Sequence, residues 1–336
     1  MKQIQSDFKT ARVVAQYRGQ YKVARENEEF WAEVAGKITY AATSQLDYPI
    51  VGDLVNIIEL GYGRAVIEGI LPRKNILKRK SAGKDEVQPI AANVDTAFVV
   101  QATDRDFNLN RLERYLTIIK AGKINPVIIL NKIDLIPKAE LEDKIAQLKD
   151  RFQNVAVITT STIDKFGTEK LREAIESGKT YCFVGSSGVG KSSLINNLLG
   201  EELLKTKEIS TFTKKGKHAT THRELFVLKS GGMVIDNPGM REVGVADAGE
   251  AMADVFSDIS ILARECKFTD CTHNQETGCA VLAALSRGQL SEAQYENYIK
   301  LGKEAAHYAM SNLEKRRKDR SFGRMVKTFK KQMNRK

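Results

Sequence analysis

The stretch Gly185-Ser186-Ser187-Gly188-Val189-Gly190-Lys191-Ser192 constrains this chain more than any other, because it has the spacing G-x-x-x-x-G-K-S and the flanks that spacing needs. The apolar run Tyr181 to Val184 precedes it, and the periodic segment Lys191 to Leu199 follows. A strand, a glycine-rich turn and a helix in that order point successive backbone N–H groups and the positive end of the helix dipole at one anion. Lys191 is then placed to reach the β and γ oxygens of a nucleotide, and Ser192 to ligate Mg²⁺.

The surrounding pattern supports that reading. After Gln88, strands are predicted at Val94 to Gln101, Pro126 to Leu130, Val155 to Thr159, Tyr181 to Val184, Glu224 to Leu228 and Gly232 to Ile235. Helices are predicted between them at Leu109 to Ala121, Lys138 to Arg151, Thr168 to Ile175 and Lys191 to Leu199. Such alternation builds a parallel sheet covered on both faces. Upstream, short β-type runs at 11–17, 20–24, 30–34, 38–41, 50–59 and 65–70 are separated by turn signals such as Gly61-Tyr62-Gly63. They suit a small barrel of five or six strands, of the oligonucleotide-binding (OB) kind, though other small β domains share the pattern. From about Ala246 the chain reads as helical, with Met252, Val255, Phe256, Ile259 and Leu262 on one face. The expected architecture is therefore multidomain: an OB-fold β-barrel at 1–86, an α/β phosphate-loop domain at 87–245, a mainly helical domain at 246–312 and a tail at 313–336.

A phosphate loop does not choose the base. Asn131-Lys132-Ile133-Asp134, closing the strand at Pro126 to Leu130, supplies what guanine needs. One carboxylate, Asp134, can accept from N1–H and the 2-amino group, Asn131 can bond the Hoogsteen side, and the Lys132 stem can lie on the ring. Ser161-Thr162, after the next strand, offers a backbone donor to O6. Asp236-Asn237-Pro238-Gly239 gives a carboxylate to hold Mg²⁺ through water and a Gly239 N–H for the γ-phosphate. Thr220 or Thr221, in a polar, Lys-rich loop, could close the Mg²⁺ shell when the γ-phosphate is present. Met240 stands where a water-orienting Gln often does. The guanine string at 131 precedes the phosphate loop at 185, the reverse of the usual order, so this GTP-binding domain is circularly permuted. Permutation is tolerated because domain ends lie close together at the surface.

Cys266, Cys271, His273 and Cys279 have the spacing C-x₄-C-x-H-x₅-C. Four soft ligands predict a closed tetrahedral Zn²⁺ site, structural rather than catalytic. With no export signal at Met1 to Val14, the thiols point to a reducing cytoplasm. Net charge is +11, yet residues 315–336 hold eleven basic residues against the single Asp319, so the body is nearly neutral and the tail cationic. Phe322, Met325, Val326, Phe329 and Met333 recur there at helical spacing. An anionic partner is implied, and nucleic acid and a membrane surface both fit.

The permuted order, Gly185 to Ser193, His218 to Thr221, Val51-Gly52-Asp53, Leu71-Pro72-Arg73-Lys74 and the Cys/His cluster resemble the small ribosomal subunit-dependent GTPases of the RsgA/YjeQ family, over nearly the whole chain. The resemblance implies a monomeric, cytoplasmic, membrane-free factor for late assembly of the 30S subunit. It would bind GTP or GDP, Mg²⁺, one zinc, and the particle with its 16S rRNA, and its hydrolysis would be stimulated by the particle. It also points to His218 as the residue that orients water in place of Met240. Asn237 and Ala219 stand where the family more often has Thr, and Lys165 interrupts the loop after Ser161. Two readings of other classes compete: an RNA-binding scaffold with a vestigial nucleotide domain, and a membrane-surface GTPase anchored by the tail. Intact Lys191, Ser192, Asp134 and Asp236 count against the first.

Overall fold

A computed structural model of the chain describes residues 8–17, 19–80, 87–104, 106–164, 166–200, 223–237, 244 and 249–309. Two compact units divide it, Met1–Val243 and Gly244–Lys336.

The first unit begins with strands β1 (Lys9–Gln16), β2 (Tyr21–Arg25), β3 (Glu28–Val34), β4 (Leu54–Gly61) and β5 (Arg64–Ile70). They pair in the order β1-β2-β3-β5-β4, and β4 pairs back onto β1, which closes a five-stranded barrel. Alternation along each strand drives the closure: Val13, Tyr21, Val23, Phe30, Ala32, Val55, Ile57, Ala65 and Ile67 point inward and are buried together. The strand expected at Ile38 to Ala41 is instead the short helix α1 (Gly36–Ala41). With β1 and β4 joined the barrel has no free edge for a sixth strand, and the parallel β3–β5 pair requires a crossover. As a helix the segment packs Ile38 against the barrel core and turns Tyr40 to solvent.

Arg73 then locks the barrel's exit. Its guanidinium forks the buried Asp53, Nε to Oδ1 at 2.8 Å and Nη2 to Oδ2 at 2.7 Å, and also donates to Leu46 O and Tyr48 O. Strands β6 (Ile76–Lys80) and β7 (Val87–Ala92) form a separate antiparallel ribbon that the sequence did not suggest. Lys78, Arg79 and Lys80 charge the end of β6, and Pro89 of β7 sits beside a register shift, where a strand tolerates proline.

The nucleotide-type sheet contains β8 (Thr96–Ala102), β9 (Asn125–Asn131), β10 (Ala156–Thr160), β11 (Thr180–Val184), β12 (Arg223–Val227) and β13 (Met233–Asp236). Helices α2 (Leu109–Ala121), α3 (Lys138–Arg151), α4 (Thr168–Glu173) and α5 (Lys191–Leu199) connect them. The order is β10-β9-β8-β11-β13-β12, parallel except for β12, which is antiparallel to β13 and continues antiparallel onto β1. Barrel and nucleotide-type strands thus share one eleven-stranded sheet. Strand order reverses between β8 and β11, and ligands of open α/β sheets bind beyond the carboxyl ends of the strands at such a point. Phe98, Phe183, Val100, Ile129, Leu194 and Ile195 form the core beneath it.

The second unit comprises α6 (Gly249–Val255), α7 (Ser257–Ala263), α8 (Ala280–Ser286) and α9 (Glu292–Ala309). The single apolar face read from Met252 to Leu262 is split between α6 and α7, which meet at Phe256. The Phe256 ring packs edge-on to Tyr298 of α9, with centroids 5.4 Å apart.

Candidate functional site

β11 delivers its apolar side chains to the core and stops at Gly185, whose backbone takes φ +145°; a Cβ there would lie 2.3 Å from Val100 O on β8. The loop closes at Gly190, φ +98°, where a Cβ would lie 2.3 Å from the Asn131 amide nitrogen. Only glycine fits at either position. Gly190 caps α5, so Lys191 and Ser192 stand in its first turn. Lys191 is buried, and its Nζ donates to Gly185 O at 2.9 Å and Ser186 O at 2.7 Å. Burial pulls its pKa down to about 8, a fall that the nearby carboxylates of Asp236 and Asp106 partly offset. Among the described residues the hydrogen bonds of Lys191 go to these two carbonyls, and a buried ammonium held in this way suits a phosphate.

The two sequence strings meet through Asn131. Its Nδ2 donates to Val189 O of the phosphate loop at 2.8 Å, and its Oδ1 accepts from Thr160 Oγ1 on β10 at 2.9 Å. Lys132 follows in the left-handed region at φ +62°, its carbonyl held by Thr103 Oγ1 at 2.6 Å and its Nζ by Asp104 Oδ2 at 3.1 Å. Ile133 and Asp134 lie in a single 3₁₀ turn, Ile133–Leu135, and the Asp134 carboxylate is exposed, with no hydrogen bond or ion pair to a described residue. In the following loop, Ser161 N–H donates to Phe166 O at 3.0 Å, while Ser161 Oγ accepts from the N–H groups of Ile163 and Asp164. The Ser161 N–H is therefore already engaged, whereas among the described residues the Thr162 N–H has no backbone acceptor.

Asp236 ends β13 beside Phe183 of β11, one strand from the phosphate loop, and is buried. Ser192 and Ser193 are half-buried, Ser187 and Gly188 exposed. Asn237 is buried, with its Nδ2 donating to Cys182 Sγ at 2.7 Å. Burial, reinforced by Asp236, pushes the Cys182 thiol up to about 12, which makes it a packing group rather than a nucleophile. Ser192 and Asp236, a hydroxyl and a carboxylate at the mouth of the loop, suit a hard divalent cation such as Mg²⁺. His218, Thr220, Thr221, Gly239 and the tail lie outside the described residues.

Several residues around this site belong to neither string. Arg111 of α2 donates to Ser186 Oγ at 3.1 Å and pairs with Asp106, and buried Gln101 holds the loop that carries Asp106. The available signal was the Asp104-Arg105-Asp106 triplet just past β8, at the switch point of the sheet.

In the second unit, Cys266, Cys271, His273 and Cys279 converge, their ligand atoms all within 4.8 Å of one another. Cys266 Sγ lies 3.9 Å from Cys279 Sγ and 3.6 Å from His273 Nδ1, which is 3.4 Å from Cys279 Sγ. A tetrahedron with metal–sulfur bonds of about 2.3 Å has edges of about 3.8 Å, so the four atoms could hold one metal ion with no position left open. Hydrogen bonds also shape the loop. Glu276 accepts from the N–H groups of Thr272, Asn274 and Gln275, and Tyr295 Oη donates to His273 O at 2.6 Å. No helix among the described residues is long and apolar enough to cross a membrane.

These features have counterparts in known proteins. A sequence model of the RsgA GTPase family matches residues 70–246. The small ribosomal subunit biogenesis GTPase RsgA 1 of Bacteroides thetaiotaomicron is 39% identical over 328 residues, covering 97% of this chain and 91% of the relative. RsgA 2 of Listeria monocytogenes is 43% identical over 301 residues, covering 90% and 85%. The crystal structure of YjeQ from Thermotoga maritima superposes with a TM-score of 0.66 at 28% identity, covering 88% of this chain and 97% of that one. The circularly permuted GTPase YloQ shares the fold, with a TM-score of 0.63 at 24% identity over 93% of this chain and all of that one. The chain belongs to the RsgA GTPase family.

Proposed function

We propose that this chain hydrolyses GTP in late assembly of the 30S ribosomal subunit, binding the particle in the GTP form and leaving it after a hydrolysis that the particle stimulates. The observation that carries the nucleotide half is the Asn131 amide, which lashes the guanine string to the phosphate loop at 2.8 Å. The particle half is supported by relatives named for small ribosomal subunit biogenesis that cover nearly the whole chain. Asp134 reads the guanine edge, the Lys132 stem lies on the ring, Thr162 N–H meets O6, and Asn131 faces the Hoogsteen side. Gly185 to Ser193 wraps the phosphates with Lys191 on their oxygens. Ser192, Asp236 and, with GTP, Thr221 would hold Mg²⁺, which would neutralise charge on the phosphates. Gly239 N–H meets the γ-phosphate, and His218 orients the water.

The metal of the second unit is one structural zinc on Cys266, Cys271, His273 and Cys279. We take the functional division as 1–86, 87–245, 246–312 and 313–336, in a cytoplasmic monomer whose barrel and basic tail face 16S rRNA. Co-sedimentation of the full chain with purified 30S subunits and with anionic liposomes tests this. Pelleting with 30S subunits that strengthens with a non-hydrolysable GTP analogue is expected. Pelleting with liposomes alone would overturn it in favour of membrane-surface action.

A further inference from the structure

The loop between β8 and α2, residues 103–108, joins the two halves of the nucleotide site by hydrogen bonds that no motif records. At one end Asp104 Oδ2 accepts from Lys132 Nζ at 3.1 Å, and Asp104 Oδ1 accepts from the Asp106 N–H at 3.1 Å. Buried Gln101 fixes the loop from beneath, its Nε2 donating to Asp106 O at 2.8 Å and Asn108 O at 3.2 Å. Asn108 caps α2 by accepting from the Arg111 N–H at 2.8 Å, which sets Arg111 in the first helical turn, facing back over the loop. There the Asp106 carboxylate pairs with the Arg111 guanidinium, and Arg111 Nη1 donates to Ser186 Oγ at 3.1 Å. The hydroxyl of buried Tyr115, one turn further along α2, bonds the same Ser186. Ser186 O in turn accepts from Lys191 Nζ at 2.7 Å.

We propose that Arg111 is a positioning residue of the nucleotide site: anchored by Asp106, it fixes Ser186 and thereby the carbonyls that aim Lys191 at the phosphates. This rests on the reading of residues 185–193 as the nucleotide's phosphate loop. A guanidinium offers a rigid fork of donors, so once Asp106 has set its plane it holds Ser186 in one orientation. The loop is then ordered before nucleotide arrives, and binding does not bear the cost of ordering it. Because the contact acts on the loop and not on the base string, it supports GDP and GTP alike.

The test is equilibrium binding of fluorescent GDP and of a non-hydrolysable GTP analogue to the full chain and to Arg111→Ala, Ser186→Ala, the double variant, Arg111→Lys and Lys191→Ala. Arg111→Ala and Ser186→Ala should each weaken both nucleotides by about three- to tenfold, as loss of one partly exposed, charge-assisted hydrogen bond does. The double variant should be no weaker than the more affected single one, since both remove the same contact. Arg111→Lys should recover part of the loss. Unaltered affinity in Arg111→Ala, or losses that multiply in the double variant, would overturn the proposal. Should Arg111→Ala fail to fold, Ser186→Ala carries the test, and its unaltered affinity for both nucleotides would overturn the proposal. Retained affinity in Lys191→Ala would instead refute the phosphate-loop reading itself, so the two failures are distinguishable.

Discussion

Raising the pH past neutrality probes Lys191 directly. Its ammonium is buried against two carbonyls, and its pKa falls to about 8 from an ordinary 10.5. A bound polyphosphate favours the charged form and restores a high pKa, so binding above about pH 8 must draw a proton from solution. The affinity then carries the factor by which the free protein has lost that proton. From about pH 7.5 to about pH 9 this factor grows about eightfold, and it tends to tenfold per further pH unit. The stability of the nucleotide-free protein moves the other way. The folded state binds fewer protons than the unfolded chain between about pH 8 and 10.5, so its stability rises with pH across that window. Titration with fluorescent GDP across this range gives the affinities, and calorimetry in two buffers of different ionisation enthalpy counts the proton. An affinity that stays flat from neutrality to about pH 9, with no proton uptake, would refute the reasoning.

Other perturbations follow from the same geometry. Arg73→Ala should destabilise the first unit by about 3 to 5 kcal/mol in urea unfolding, because it strands the fully buried Asp53 carboxylate. Arg73→Lys should recover little, since lysine cannot fork Asp53 and also reach Leu46 O and Tyr48 O; a stability equal to wild type would contradict this. Asp134→Asn should weaken GTP by about a hundredfold or more while improving xanthosine triphosphate, as one acceptor becomes a donor; competition binding with both nucleotides decides it. Cys271→Ser, or chelation, should remove one equivalent of zinc by elemental analysis and loosen the second unit by near-ultraviolet circular dichroism, with GDP affinity unchanged.

The parts legible in the sequence were those encoded by spacing along the chain. The strand, glycine-rich turn and helix at 180–199 and the convergence of Cys266, Cys271, His273 and Cys279 follow local patterns, and α2 and α3 have the bounds their periodicity predicts, α2 between its Asn108 cap and Gly122. The permuted order was legible for the same reason, since it is only the order of two strings. What escaped depends on pairing between distant segments. Ile38 to Ala41 has strand-forming residues, but the β1–β4 pairing that leaves no edge for a sixth strand joins residues more than forty positions apart. The β6–β7 ribbon is masked by its charges and by Pro89. The Arg111–Ser186 contact spans 75 positions, and nothing in either segment announces the other. Likewise the Ser161 N–H looks available until the loop folds and Phe166 O takes it.

The central claim is that this nucleotide site fires on the small ribosomal subunit, and single-turnover GTP hydrolysis by the full chain, with and without purified 30S subunits, tests it most directly. Hydrolysis should rise by at least about tenfold with 30S subunits and be lost in Lys191→Ala. Purified 50S subunits and anionic liposomes should give no such rise. A rate indifferent to 30S subunits, or raised equally by any of the three, would contradict the account.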